Sequence, residues 1–188
     1  MPRVYKVESA RKARPALGIA VGDTYYYWKR RKGPLQMSKT YPKRSQLTGS
    51  PFLQTVYDIE DRIAALTADE GLPDAVAEIA QELRDLAEEC QGNFDNMPEG
   101  LQQGDTGQLL EARVEGCNNA ADELEAIDFS DAPDGEAEEP GEPGEDASQE
   151  EHDAYEAALA EYEESDEAAD NYWDEKLGEV TGISIEYE

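Results

Sequence analysis

The sequence predicts a mainly α protein: three amphipathic helices packed as a bundle, a small basic β hairpin before them, and an acidic helix and short strand after them. Three observations carry this. Apolar residues recur at spacings of three and four in three successive stretches, which puts one greasy face on each helix. An aromatic run near the N-terminus has strand composition. Charge is segregated: residues 1–48 hold 12 of the 16 Lys/Arg against only Glu8 and Asp23, while residues 49–188 hold 43 of the 45 acids, so a head of about +10 precedes a body of about −39.

In chain order, Gly18-Ile19-Ala20-Val21-Gly22-Asp23 leads into Thr24-Tyr25-Tyr26-Tyr27-Trp28, a β-rich run that ends at Lys29-Arg30-Arg31-Lys32-Gly33-Pro34, a strand followed by a turn. Leu35 to Thr40 returns as its partner. A lone hairpin is not stable in water, so this segment, residues 1–48, must dock on something, the helices being the nearest surface. Residues 49–127 form the bundle. Ser50 caps and Pro51 opens the first helix, whose stripe is Phe52, Val56, Ile59, Ile63 and Leu66. Leu72, Val76, Ile79, Leu83, Leu86 and Cys90 make the second, with Pro73 near its start and Gln91-Gly92-Asn93 as its stop. In the third, Asp105 caps with Gln108, and Leu110, Val114, Cys117, Ala121 and Leu124 form the stripe.

Residues 128–149, rich in Glu, Pro and Gly, cannot bury enough apolar surface to offset ordering entropy and form a flexible acidic linker. Residues 150–188 hold the last two elements. Ser148 and Glu151 make a capping box ahead of a helix whose sparse stripe is Tyr155, Leu159, Tyr162, Ala169 and Trp173, interrupted by Asp166. The tail Gly182-Ile183-Ser184-Ile185-Glu186-Tyr187 alternates as a short strand would, and the N-terminal hairpin is a candidate partner for it.

Composition narrows the function classes. At 188 residues, 38% hydrophobic and 32% charged, the core is thin. No run approaches the ~18 apolar residues of a membrane span, and Met1-Pro2-Arg3-Val4-Tyr5-Lys6 lacks the apolar block of a signal peptide, so a soluble cytosolic protein is expected. Cys90 and Cys117, both in helical patterns, suit reduced thiols used as small core residues. His152 is the sole histidine, and neither HExxH nor a paired CxxC exists, so no metal site is expected. Aligning Asp134-Gly135 to a calcium loop leaves Gly141 where a bidentate Glu belongs. A Gly-rich phosphate loop and Gly-x-Ser-x-Gly are both missing. The expectation is a binding protein, not an enzyme, with no cofactor.

Two segments qualify as binding sites. Tyr25 and Tyr27 share one strand face and Tyr26 and Trp28 the other; with Lys29, Arg30, Arg31 and Lys32 at the turn and Lys43-Arg44 beyond, they form a possible nucleic-acid contact. The plainer reading is preferred. One or both faces pack on the bundle, the turn is solvated or pairs with the acidic tail, and the body repels nucleic acid, so direct binding by the full chain is not expected. The second segment is the acidic helix. Glu150, Glu151, Asp153, Glu156, Glu161, Glu163, Glu164, Asp166, Glu167 and Asp170 place a carboxylate at about every second residue, a charge density of the same order as B-DNA's one charge per ~1.7 Å. Such charge runs are usually solvated tails or self-shielding arms, and a surface imitating the phosphate backbone is the third reading.

The stretches Gly22-Asp23-Thr24-Tyr25-Tyr26-Tyr27-Trp28-Lys29, Ser38-Lys39-Thr40-x-Pro42-x-Arg44-Ser45-Gln46-Leu47-Thr48-x-Ser50 and Asn96-Met97-Pro98-Glu99-Gly100-Leu101-Gln102-Gln103-Gly104-Asp105-Thr106-Gly107 resemble small bacteriophage proteins of unassigned function. The resemblance covers roughly the first two-thirds of the chain. Similar sequences carry a zinc-ribbon-like head with cysteine pairs; this chain has none there, so a metal-held head does not carry over. The resemblance implies an accessory protein in the host cytoplasm or a virion component, and brings no catalytic residues. The leading expectation is a non-enzymatic phage accessory protein that binds a host or phage DNA- or RNA-handling protein through a DNA-mimic-like acidic surface. The alternatives are a virion assembly protein that self-associates through its heptad helices, and a nucleic-acid binder using the aromatic head.

Overall fold

The computed structural model describes residues 2–133, 139–144 and 148–187; residues 134–138 and 145–147, both in the expected acidic linker, lie outside the described residues, as do Met1 and Glu188. The chain divides into two compact units, Met1–Arg62 and Ile63–Glu188. The division follows the charge. The first unit holds 13 Lys/Arg against 5 Asp/Glu and the second 3 against 40.

The first unit carries a three-stranded antiparallel sheet, β1 Val4–Val7, β2 Tyr25–Lys29 and β3 Leu35–Ser38, with β2 in the middle. The expected hairpin is β2–β3, with Tyr27 opposite Met37 and a turn closed by the Gly33 N–H on the Arg30 carbonyl at 3.1 Å. The strand starts at Tyr25, after the Gly18–Asp23 stretch that leads into it, where Gly18 and Gly22 sit at φ 66° and 91°, a left-handed backbone that interrupts an extended run. One feature differs from the expectation. The far edge of β2 is paired with β1, Tyr5 lying opposite Tyr27, a strand the sequence pattern had not supplied.

Period-2 alternation divides the sheet into two faces. On one, Trp28 is 2% exposed and donates its indole N–H to the Gln46 carbonyl at 3.3 Å, while Arg30, two residues on, donates to the Thr48 carbonyl at 2.6 Å. These bonds clamp the sheet to a short helix, α1 Arg44–Leu47, whose first turn is closed by the Lys43 N–H on Gln46 Oε1 at 3.0 Å. So the Trp28 face docks on the segment that follows β3. Helix α2, Pro51–Ile63, starts as expected: Ser50 Oγ accepts from the Leu53 N–H at 3.4 Å, and Phe52, Val56, Ile59 and Ile63 are buried. It ends one turn early, leaving the half-buried Leu66 in the following turn.

The second unit is helical: α3 Leu72–Asp95, the single turn α4 Glu99–Gln102, α5 Asp105–Glu125 and α6 Gln149–Thr181. Of the three expected stripes, α2 thus belongs to the first unit, and α3 packs on α5 and α6 in the second. All six stripe residues of α3 are buried. The expected stop at residues 91–93 does not act. Gly92 costs a helix about 1 kcal/mol relative to Ala, too little to end it; it runs on to Asp95, where Asn96 N–H and Nδ2 both close on the Gly92 carbonyl and Pro98 forbids continuation. In α5 the expected cap does not form. Gly104 is the cap residue, with no side-chain bond, and Asp105 stands one position inside, still favourable to the helix dipole. Its buried face is Gly116, Cys117, Ala120, Ala121 and Leu124, with Leu110 and Val114 only partly covered.

The capping box of α6 is present. Ser148 N–H donates to Glu151 Oε2 at 2.7 Å and Glu151 N–H to Ser148 Oγ at 3.3 Å. The expected terminal strand is not formed. Residues 183–187 belong to no strand; Ile185 is buried, and the Glu186 carbonyl lies so close to α5 that any β-carbon on Gly116 would overlap it. Packing against a helix, not strand pairing, therefore uses the alternation of Ile183 and Ile185.

Candidate functional site

Each unit presents one candidate surface, built by different rules. In the first, alternation along β2 puts Tyr25, Tyr27 and Lys29 on the face opposite Trp28. Tyr5 of β1 stacks on Tyr27 with centroids 5.0 Å apart and planes 14° apart, and Tyr25 leans on Tyr27 at 6.5 Å and 42°. The two rings sit together because Tyr5 and Tyr27 are direct cross-strand partners. Tyr5 remains 45% exposed, and Leu35, across from Lys29, is 50% exposed. Sequence reasoning does not single out Tyr5; the β-favouring Val4, Tyr5 and Val7 were its only signal.

At the end of β2 the turn opens a cleft of about 830 Å³ lined by Pro2, Lys29, Arg30, Arg31, Lys32, Gly33, Leu47 and Gly49. Four consecutive cations therefore share one concavity. Arg30 is fixed by its bond to Thr48. Lys29, Arg31 and Lys32 have no carboxylate partner among the described residues. Lys43 and Arg44 are placed differently. Lys43 pairs with Asp61 at 3.2 Å, and Arg44 pairs with Glu60 at 2.6 Å and lies over the Tyr57 ring at 4.1 Å, so both tie α1 to α2. Lys39 is likewise matched to Asp23 at 2.8 Å, and that ammonium holds the Asp23 carboxyl below the usual range.

The second surface is α6. Glu150, Glu151, Asp153, Glu156, Glu161, Glu163, Glu164, Asp166, Glu167 and Asp170 are all exposed, and no residue from 149 to 172 is buried. Trp173 and Val180 anchor only the last third of the helix. Tyr155, Leu159, Tyr162 and Ala169 are half-buried. The Glu151 carboxyl is held below its ordinary value by the Ser148 backbone N–H it accepts, so the helix start stays capped at neutral pH. Elsewhere in this unit Arg84 offsets local acid: it binds Asp122, reaches Glu125 at 2.8 Å and donates to Asn118 at 3.1 Å, tying α3 to α5. Its guanidinium pKa is pushed up by Glu125 and Asp122.

Cys90 and Cys117 are buried free thiols. Burial pushes Cys117 up to about 12 and raises Cys90 too, so both stay protonated and weakly nucleophilic. Among the described residues no three His, Cys, Asp or Glu side chains converge as a metal-ion cage, and no helix is long and apolar enough to cross a membrane. The chain matches no known protein family, no curated protein and no solved structure.

Proposed function

We propose that this is a non-enzymatic binding protein whose acidic unit engages the basic groove of a DNA- or RNA-handling protein by imitating the charge of a nucleic-acid backbone. One observation carries the reading: ten carboxylates over residues 150–170 are all exposed on a continuous helix whose only partly covered side chains among its non-alanine residues there are Tyr155, Leu159 and Tyr162. At 1.5 Å per residue this is one charge per ~3 Å, about half the linear density of duplex DNA. The buried anchors of this helix are Trp173 and Val180 near its end, and along the acidic length the carboxylates face solvent while Tyr155, Leu159, Tyr162 and Ala169 are half-buried. Such an array attracts Lys/Arg-rich clefts, speeds encounter and, like DNA, sheds its own associated cations on binding. With the resemblance to small bacteriophage proteins, the natural setting is a phage accessory protein acting in the host cytoplasm.

The test is capture from a bacterial lysate at 50 and 300 mM salt by the full chain and by a version with the ten carboxylates changed to amides. The full chain is expected to retain DNA-binding proteins that duplex DNA and salt displace, and the amide version to lose them. Retention of the same proteins by both versions, or salt-insensitive retention, refutes the reading.

A further inference from the structure

We infer that the open face of the N-terminal sheet is a stacking platform for single-stranded nucleic acid, with bases on Tyr5, Tyr25 and Tyr27 and the backbone phosphates in the Lys29–Lys32 cleft. Three observations meet here. The rings are presented by adjacent strands, and the Tyr5–Tyr27 pair is already parallel within 14°, so a base laid on it extends an existing stack without new ordering of the side chains. The face is not consumed by packing: the hydrogen bonds that dock the sheet leave from Trp28 and Arg30 on the opposite side, and Tyr5 and Leu35 are about half exposed. Lys29 belongs to both parts, being the last residue of the aromatic face of β2 and a wall of the cleft.

Charge selects the occupant. A hydrophobic peptide would use the rings but leave Lys29, Arg31 and Lys32 without counter-charge, whereas a polyanion with flat bases satisfies both. Single strands are favoured over duplex because stacking on a flat sheet requires unpaired bases, and every base offers a ring face, so little sequence preference follows. The net charge of the whole chain argues against any nucleic-acid contact only at long range. At 0.15 M salt the screening length is about 8 Å, so exposed charges farther than that from a bound strand contribute little, and the four cations that line the cleft act at contact.

The experiment is fluorescence anisotropy of a labelled 20-nucleotide oligothymidylate and of a 20-base-pair duplex with the full chain at 50 mM salt. The single strand is expected to bind at least tenfold more tightly than the duplex. Tyr27→Ala weakens it by roughly 5- to 150-fold, the range for one lost base stack, while Tyr27→Phe stays within twofold. Arg31→Gln and Lys32→Gln each lower the slope of log affinity against log salt by about 0.7. Tyr5→Ala, at an exposed edge, serves as a second ring deletion whose fold is monitored by the near-UV signal of Trp28. Absence of binding at 50 mM salt, preference for the duplex, or full affinity in both ring deletions overturns the inference.

Discussion

Changing Gly116 to Ala sets two effects of known size against each other. Within a helix, Ala is favoured over Gly by about 1 kcal/mol, so an isolated α5 would gain. In this chain the new β-carbon overlaps the Glu186 carbonyl, a backbone atom that can yield only if the tail lifts away. Lifting it exposes Ile185, now only 8% exposed, and full burial of such a side chain is worth about 1.5–3 kcal/mol. The loss exceeds the gain, and Gly116→Ala is expected to destabilise by about 0.5–2 kcal/mol, or roughly 2–8 °C in Tm for a unit of this size. In a chain ending at Thr181 the clash has no partner, and the same substitution should stabilise by about 1 kcal/mol. Thermal unfolding of the four proteins gives a double-mutant cycle with a coupling of about 1.5–3 kcal/mol, and carboxypeptidase should digest the tail of the full-length variant faster. An identical effect of Gly116→Ala in both backgrounds would refute the placement of the tail against α5.

Leu83→Ala, at a fully buried position central to α3, should cost about 2–5 kcal/mol, seen as a lower urea midpoint at unchanged m. Cys117 should react with iodoacetamide at pH 8.5 about 10³-fold more slowly in the native than in the unfolded chain, since its folded pKa of about 12 stands above the unfolded ~8.5. The same shift fixes a sign: stabilisation from this thiol is complete below pH ~8.5 and declines as pH rises towards 12, because the unfolded chain loses the proton first; a Cys117→Ala variant should lack that decline in alkaline melts. Arg84→Gln should lower Tm, and less so as salt rises, since it removes the cation that holds Asp122 and Glu125 of α5 to α3.

The amino-acid order determined the local elements. Spacing alone located α2, α3, α5 and α6, because a 3.6-residue period is a property of neighbours in the chain, and Ser50 and Ser148 announced their helix starts because a cap is made within three residues. The split between Tyr25 and Tyr27 on one face and Trp28 on the other was equally legible from alternation, and the charge segregation is sequence itself. What tertiary structure decided was every pairing between distant residues. β1 becomes a strand only because β2 offers it an edge, so Tyr5, the ring that completes the stacked face, carried little signal of its own. The alternation at residues 183–187 fits a strand or an extended tail equally, and the bare surface at Gly116 selected the tail. Lys43 and Arg44 resemble Arg31 and Lys32 in sequence, yet proximity to Asp61 and Glu60 on α2 ties them into the fold while the turn cations line a cleft. Periodicity is written in near neighbours, whereas the partner of a charge or an edge is set by which surfaces the chain brings together on folding.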